Sequence, residues 1–286
     1  MKRLTLLLAT AFFCLAVSAQ KGKDTIRIGN MVIVKEGKTN SGGDKEVNMN
    51  RDQAPRKLRN VSTNWGVLDL GFSNYDDKTN YAALGGSYLV NRPGYPAFGK
   101  SDFKLRAGKS INVNIWISMQ RVNLIKHHVN LKYGLGLELT NYRYKSTISY
   151  RENGVEPYSN GSVVRTDPFI FRDSISFSKN KLAADYITIP FMLNFTSHPA
   201  YNNRGVNISF GVSAGYLYSQ RNKQKSAERG KKLNKGDYDM ERLKLSYVAE
   251  LGIGPIHLYG SFSPKSMYER SLDIRPYTVG LRFSNW

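Results

Sequence analysis

One segment of the sequence has the spacing of a nucleotide-binding motif. Residues 94–101 read Gly-Tyr-Pro-Ala-Phe-Gly-Lys-Ser, which fits the G-x-x-x-x-G-K-S pattern of a phosphate-binding loop. That chemistry requires a buried strand before the loop and, after it, a helix whose N-terminal amides hold the phosphates. Asn-Arg-Pro precedes the segment, and residues 101–109 show no helical period. The sequence therefore predicts no nucleotide site and no cofactor here.

The four histidines do not form a catalytic or metal-binding pattern. His127 and His128 are adjacent, so on a strand they point to opposite faces and cannot share a site. A lipid-modifying barrel enzyme would need a histidine, a serine and a carboxylate near the outer leaflet. His198 falls in a short connection, and His257 lies near the other end of its strand. We predict no catalytic residue and no metal site, and we expect the protein not to be an enzyme.

A second group of charged residues lies at the polar positions of segments in which apolar and polar residues alternate. It contains three acids and three bases, which would neutralise one another if they faced a common interior. An eight-stranded barrel has an interior just wide enough to be filled by side chains, so a packed polar plug is expected rather than an open ion path. The predicted lumen charge network consists of Asp69, Lys132, Glu138, Lys244, Glu250 and Arg282.

A third group is a run of cations in one long connection, with Glu228 as the acid among them. A charge run is usually a solvated loop. The sharper hypothesis is that these side chains bind phosphate groups of outer-leaflet glycolipid or an acidic surface polymer. The predicted anionic-glycolipid loop consists of Arg221, Lys223, Lys225, Arg229, Lys231, Lys232 and Lys235.

Strands with period-two alternation must position these groups. In residues 205–220, Ile208, Phe210 and Val212 share one parity, while Ser209 and Gly211 share the other. The same pattern recurs about eight times, mostly over about ten residues, the length that a tilted strand needs to cross a bilayer. The predicted strands are 64–73, 109–121, 128–141, 185–195, 206–220, 243–253, 256–263 and 275–284.

Long and short connections alternate between these strands. Short turns on one side and long loops on the other are typical of an up-and-down outer-membrane barrel, and an even strand number returns both termini to the periplasm. A soluble sandwich or lipocalin-like barrel would also alternate. The uninterrupted apolar parity favours the membrane barrel, with its apolar face towards lipid. The predicted fold class is therefore all-β: a transmembrane antiparallel up-and-down β-barrel of about eight strands.

Two local features of the strands lead to further expectations. Pro190 cannot donate to a ladder, so we expect a bulge there. Aromatic residues near strand ends are typical of the girdles at membrane interfaces. The residues expected in these girdles are Tyr142, Tyr144, Phe195, Tyr216 and Tyr218.

The N-terminus has the pattern of a secretory signal peptide. Lys2 and Arg3 precede an apolar run over 4–17, and Val-Ser-Ala at 17–19 suits cleavage before Gln20. Removal of the peptide takes away Cys14 and leaves 40 basic and 22 acidic residues, a formal charge of +18. Because an exported chain rarely meets nucleic acid and no recognition helix accompanies the charge, anionic lipid is the favoured counter-charge. Residues 25–34 could pair as a hairpin, and 35–60 are interpreted as a mobile tether.

Five segments resemble the PorT-like outer-membrane β-barrel proteins of Bacteroidetes-type bacteria. They are residues 64–72, 109–114, 133–138, 186–193 and 276–283, and the resemblance covers about 65–283, with a similar Thr-Ile-Arg-Ile-Gly-Asn entry after the signal. The resemblance implies a small barrel inserted by the outer-membrane assembly machinery. Phe283 matches the C-terminal assembly signal of such barrels, although this chain continues to Trp286, whose parity is wrong for that role. The predicted tether also differs from the family pattern: an acidic tether is expected in many relatives, whereas this one is mixed to basic.

The resemblance does not imply an enzymatic activity. PorT itself is linked to the secretion of large surface proteins, but no motif here separates a secretion component from a generic barrel. The sequence predicts a signal peptide (1–19), a periplasmic N-terminal segment (20–61) and a monomeric outer-membrane barrel (62–286) without an open pore or catalysis. Its role would be structural or surface-interacting, with lipid and glycolipid phosphates as partners. The alternative is an accessory of a secretion or envelope-assembly machine, and a lipid-modifying barrel enzyme comes third.

Overall fold

The structure, a computed structural model, describes residues 25–28, 31–34, 57–84, 88–201, 205–253, 256–270 and 272–284. The chain divides into two compact units, residues 1–52 and 53–286. The predicted signal peptide and residues 35–56 of the predicted tether lie outside the described residues. In the first unit, β1 (Thr25–Ile28) and β2 (Met31–Val34) pair antiparallel, at the place where the sequence suggests a hairpin.

Eight long strands of the second unit form a closed ring. Each pairs antiparallel with the next along the chain, and the last pairs with the first. The ring strands are β3 (Val61–Asp77), β5 (Ile111–Ile125), β6 (Val129–Arg143), β11 (Lys179–Thr196), β12 (Val206–Ser226), β14 (Leu243–Ile253), β15 (Ile256–Phe262) and β16 (Ile274–Phe283). The predicted all-β, up-and-down barrel of eight strands is confirmed, and five of the strands extend at least two residues beyond a predicted end.

The remaining strands belong to the long connections. They are β4 (Leu89–Val90), β7 (Ile148–Arg151), β8 (Gly154–Val155), β9 (Val164–Arg165), β10 (Phe169–Arg172) and β13 (Gly230–Lys235). Strands β4, β10 and β7 form a small sheet, β8 pairs with β9, and β13 pairs with the end of β12. Among the described residues, none lies in a helix long and apolar enough to cross a membrane.

The polarity of the barrel is the reverse of that of a soluble protein. Val279 and Phe283 point outward and are 60% and 53% exposed, whereas Asp69 and Arg282 point inward and are 0% and 6% exposed. Apolar side chains also cover the outside of the other strands, for example Ile189. A lipocalin-like barrel would place its apolar parity inside. An apolar exterior around a polar interior is the arrangement expected in lipid.

The long connections fold into a compact cap at one end of the barrel. The short turns lie at the opposite end, which we call the turn end. Its core is apolar and rich in tyrosine, like the core of a soluble protein. Tyr142 and Tyr144 are each 2% exposed in this core, so the prediction that they belong to an interfacial girdle is wrong. Tyr142 shares the inward parity of β6 with Glu138 and Thr140, and Tyr144 follows on the same parity beneath the cap. Phe195, Tyr216 and Tyr218 do point outward and are 38–55% exposed.

The expected bulge at Pro190 is also wrong. Pro190 pairs in register with Ser213 on β12, and the ladder to β6 lacks pairs at positions 189 and 190 without any shift. Proline is tolerated here because the missing N–H only leaves a gap in the ladder towards β6. The irregularity between β11 and β12 lies nearer the cap than Pro190 does. Asp185 pairs with Ser219 and Tyr186 pairs with Leu217, so Tyr218 is the extra residue of a β-bulge.

Candidate functional site

Arg282 is the centre of a charged cluster inside the barrel. It lies on β16, opposite Asp69 of β3 in the ladder. Its Nε and Nη2 donate to the two carboxylate oxygens of Asp69 at 2.6 and 2.7 Å, and its Nη1 donates to Glu250 of β14. All three side chains are buried. A bidentate arginine–carboxylate pair of this kind fixes geometry as well as charge.

Further hydrogen-bond donors complete the coordination of these carboxylates. Asp69 accepts hydrogen bonds from Trp116 Nε1 at 2.7 Å and from Asn114 Nδ2 at 3.1 Å. Glu250 accepts from Lys132 and from Ser209 Oγ, the latter at 3.3 Å. Buried charges are tolerated when they are paired and hydrogen-bonded in this way.

A second, smaller cluster lies nearer the cap. Lys244 donates to Glu138, whose carboxylate also accepts a hydrogen bond from Thr140 Oγ1 at 3.4 Å. The Lys244 ammonium lies 5.1 Å from the centroid of the Tyr186 ring. The structure therefore brings all six residues of the predicted network into ion pairs, in one group of four and one group of two.

Apolar side chains pack inside the barrel beside the charged groups. Val67, Trp116, Met119 and Met192 form a buried cluster. Two cavities inside the lumen measure about 10 and 30 Å³, room for about one or two water molecules. The interior at this level is packed with side chains.

The basic run adopts a different structure from the predicted loop. Strand β12 continues to Ser226 and pairs with β13, so the run forms a β-hairpin that projects beyond the ring. Five of its cations lie on the outward face of this hairpin. The remaining two lie on the cap side, where Arg229 Nη1 donates to Asp173 at 2.7 Å and Lys232 lines a cleft of about 450 Å³.

Sequence reasoning missed three cations that share the outward face. Arg143 pairs with Lys181 across β6 and β11, and Lys179 and Lys181 pair with Lys225 and Lys223 across β11 and β12. They belong to other segments of the chain, and only strand register places them here. The basic charge of residues 179–181 was the signal available in the sequence. The eight outward cations, which we call the basic face, are Arg143, Lys179, Lys181, Arg221, Lys223, Lys225, Lys231 and Lys235.

The cap holds a chain of buried tyrosine hydroxyls. Tyr150 Oη lies 2.6 Å from Tyr144 Oη and 2.9 Å from Tyr268 Oη. Tyr88 Oη donates to the backbone oxygen of Tyr238 at 2.7 Å. Burial raises the pKa of Tyr144 and Tyr238 to about 12, and burial also raises the pKa of Tyr150. These hydroxyls are therefore neutral donors and acceptors that hold the cap together.

The motif-like segment 94–101 lies in the cap and lacks the setting of a phosphate-binding loop. The Gly99 amide donates to Asp102 Oδ2 at 2.9 Å, so a carboxylate of the protein already occupies it. The Asp102 carboxylate is in turn paired with Arg172 Nε at 2.7 Å. The helical element that follows is a three-residue 3₁₀ turn, Ala107–Lys109. The segment has no helix N-terminus for a phosphate.

The histidines lie at the turn end of the barrel, opposite the cap. His128 Nδ1 is 2.8 Å from the backbone oxygen of Thr196, and His198 Nδ1 is 3.0 Å from Ser197 Oγ. His257 lines the 10 Å³ cavity with Ser209 and Glu250, a space too small for a lipid substrate. Within the described residues, no three His, Cys, Asp or Glu side chains are grouped to hold a metal ion.

One of the comparisons with known proteins, that with family models, shows the family of the chain. No curated protein sequence matches the chain. A solved structure of Ail, the attachment invasion locus protein of Yersinia pestis, is similar over 79% of this chain and 100% of its own, at 11% identity and a TM-score of 0.30. The family model described as "Outer membrane protein beta-barrel domain" matches residues 68–273, most of the barrel and its cap. The chain therefore belongs to the outer-membrane β-barrel domain family.

Proposed function

We propose that the protein is a closed outer-membrane barrel with a structural or surface-interaction role, without catalysis and without an open pore. The observation that carries the proposal is the packed lumen, in which Arg282 joins Asp69 and Glu250 across the interior. Ions would have to break these buried pairs to pass. A barrel of eight strands is narrow enough for its side chains to close it.

The proposal places the cap outside the cell. Eight strands bring both ends of the ring to the turn end, which faces the periplasm in outer-membrane barrels with long external loops. The cap then presents a folded surface rather than separate mobile loops. Such a surface suits contact with other molecules of the cell exterior.

Planar bilayer recordings test the closed lumen. Purified protein is expected to insert without steady conductance, because the ion pairs and the buried cluster of Trp116 and Met192 fill the cross-section. An open porin recorded in the same lipid shows that insertion would be detected. A large, steady current from the wild-type protein would refute the proposal.

An accessory role in a secretion or envelope-assembly machine, as in the PorT-like interpretation, is the second candidate. A cavity of about 490 Å³ at the turn end favours it, lined by Lys57, Arg59, Arg121 and His127 among others. Its basic rim would suit an acidic periplasmic partner. A photo-crosslinker at Thr63, in this cavity, is expected to capture a recurrent envelope protein. Recovery of the uncrosslinked monomer alone would count against this role.

The absence of catalysis is supported by the position of His257, in a cavity of about 10 Å³ at the turn end. Deletion of the gene is expected to leave the glycolipid composition of the membrane unchanged. An altered acylation or phosphorylation pattern, restored by the wild-type gene and not by a His257→Ala variant, would favour the lipid-modifying enzyme.

We also propose cleavage after Ala19, which the intact mass of the membrane-extracted protein would test.

A further inference from the structure

A β-bulge turns the cations of β12 towards the outside of the barrel. Up to Tyr218 the even-numbered residues of this strand point outward, as Tyr216 does. The extra residue at Tyr218 shifts the register by one, and such a shift exchanges the two faces of a strand. Beyond it Asn222 and Gln224 are buried under the cap, and Lys223 lies on the outward face. Without the bulge, Lys223 would point into the cap.

The bulge aligns these cations with those of the neighbouring strands. One row runs across four strands through Arg143, Lys181, Lys223 and Leu233. A second row contains Lys179, Lys225 and Lys231. The third row, nearest the barrel, contains Arg221 and Lys235.

Like charges directly opposite each other destabilise a sheet, because their Cβ atoms are only about 5 Å apart. The described residues of the three rows contain no carboxylate. Two carboxylates lie next to the lowest row: Asp185 is paired with Arg221, and Asp237 is paired with Arg242. Lys181 contacts the side-chain oxygen of Asn141, and Arg143 donates to the backbone oxygen of Ser178 at 2.8 Å. These contacts with neutral groups leave the charge of the first two rows uncompensated, so an external anion would stabilise the face.

The basic face directly continues the lipid-facing surface. Tyr216 and Tyr218 end the apolar side of β12, and Arg221 is the next outward residue after the bulge. In a strand tilted by about 40°, each two-residue step rises about 5 Å along the membrane normal. The three rows therefore cover the zone just outside the hydrocarbon, where headgroup phosphates lie.

A groove opens beside the lowest row. Strand β12 pairs with β14 up to Tyr216 and with β13 from Arg221 onward, so its two partners separate between these positions. The groove at this fork measures about 440 Å³. Its lining includes Tyr218 and Lys235, together with Arg242, which is paired with the Asp237 carboxylate at 3.6 Å. Aromatic and cationic groups together suit the sugar and the phosphate of a glycolipid headgroup.

We propose that the basic face and this groove bind the phosphate groups of outer-leaflet glycolipid. The proposal deepens the surface role given above and rests on the membrane placement of the barrel. It does not depend on the closed lumen, so a conducting barrel would refute the proposed function and leave this site untouched. Continuity with the lipid-facing surface favours a membrane glycolipid over a soluble polymer.

The test compares two triple variants in nanodiscs. Lys181→Gln/Lys223→Gln/Lys225→Gln removes three cations of the basic face. Lys100→Gln/Arg151→Gln/Lys232→Gln removes three exposed cations of the cap and serves as the control, with the same change in net charge. Both variants are first required to show the migration of a folded barrel in unboiled gels. The probe is bisphosphorylated lipid A, and the same lipid A without phosphate is the second arm.

Loss of three lysines near an anionic surface is expected to weaken binding of the bisphosphorylated probe on the order of 100-fold, and high salt should weaken wild-type binding as well. The control variant should retain wild-type affinity within about threefold. Equal affinity of wild type and the basic-face variant, or equal binding of phosphate-free lipid A, would overturn the proposal. A soluble polyphosphate that binds the same lysines as tightly as lipid A would also overturn it, in favour of a soluble polymer.

Discussion

The buried ion pairs inside the barrel depend most directly on the charge of Arg282. Its guanidinium contacts the carboxylates of both Asp69 and Glu250 and lies 5.5 Å from the centroid of the Trp116 ring. Removing one partner of a buried ion pair leaves an uncompensated charge, which costs more than the pair contributes. Lys132 would still compensate Glu250, whereas Asp69 would keep only its neutral donors.

Arg282→Met is therefore expected to lower the free energy of unfolding by about 3–5 kcal/mol. The measurement is urea unfolding of the barrel in detergent micelles, followed by tryptophan fluorescence. Lys265→Gln is the control, because its ion pair with Glu241 is exposed on the lysine side, at 67%, and such pairs contribute about 0–1 kcal/mol. Equal destabilisation by the two substitutions would contradict the role given to the buried network.

At the scale of strands, the seam between β3 and β16 closes the ring. Gly71 and Gly280 face each other across it, and the Tyr259 ring from the neighbouring strand covers both. A tyrosine packed over a glycine stabilises strongly curved sheets. The hydroxyl of Tyr259 donates to Asn112, so the ring is held in this position. The first and last strands thus meet where no side chain obstructs them.

Gly280→Val is expected to destabilise the barrel by about 1–3 kcal/mol through overpacking. A Cβ atom at this position would lie 2.3 Å from the backbone oxygen of Leu70 and 2.6 Å from the Tyr259 ring. The readout is the fraction of protein that refolds into detergent, seen as the fast-migrating band of an unboiled gel. Gly260→Val is the matched control, because a Cβ atom there would have its nearest neighbour, the backbone oxygen of Thr278, at 3.5 Å. Normal refolding of the valine variant would show that the seam tolerates side chains.

At the scale of the whole barrel unit, two layers of opposite polarity are joined end to end. The barrel is apolar outside and polar inside, while the cap buries an apolar, tyrosine-rich core. Burial raises the pKa of Tyr144 and Tyr238 to about 12, against about 10 in an unfolded chain. Because the folded cap holds these protons more tightly, its stability is complete below pH 10 and falls as the pH rises towards 12.

The cap is therefore expected to open between about pH 10 and 12 while the barrel remains closed. Tyrosinate absorbance should rise together with protease cleavage within the cap, and the unboiled protein should keep the fast migration of a folded barrel. Tyr150→Phe removes the hydroxyl that links those of Tyr144 and Tyr268, and should move the opening of the cap to lower pH. Titration of all tyrosines near pH 10 without new cleavage would contradict this two-layer description.

Much of the barrel could be read from the sequence, because period-two alternation is a local property of each strand. It predicted eight strands, the side of the ring that Val279 and Asp69 would face, and the six inward charges. The cap could not be predicted in this way, since its core joins residues such as Tyr88 and Tyr238 that are distant in the chain and follow no common period. Tyr142 is predicted in a girdle because it is aromatic and near a strand end, although its parity, the same as that of Glu138, places it inside under the cap.

The sequence by itself determined which residues alternate and that their charges balance inside. Only the tertiary structure decided which charges meet, because Arg282 reaches Asp69 through closure of the first strand on the last. It also decided the composition of the basic face, which needs one extra residue at Tyr218 and the register of four strands. A bulge of one residue leaves the composition of a strand unchanged and reverses the direction of every side chain beyond it.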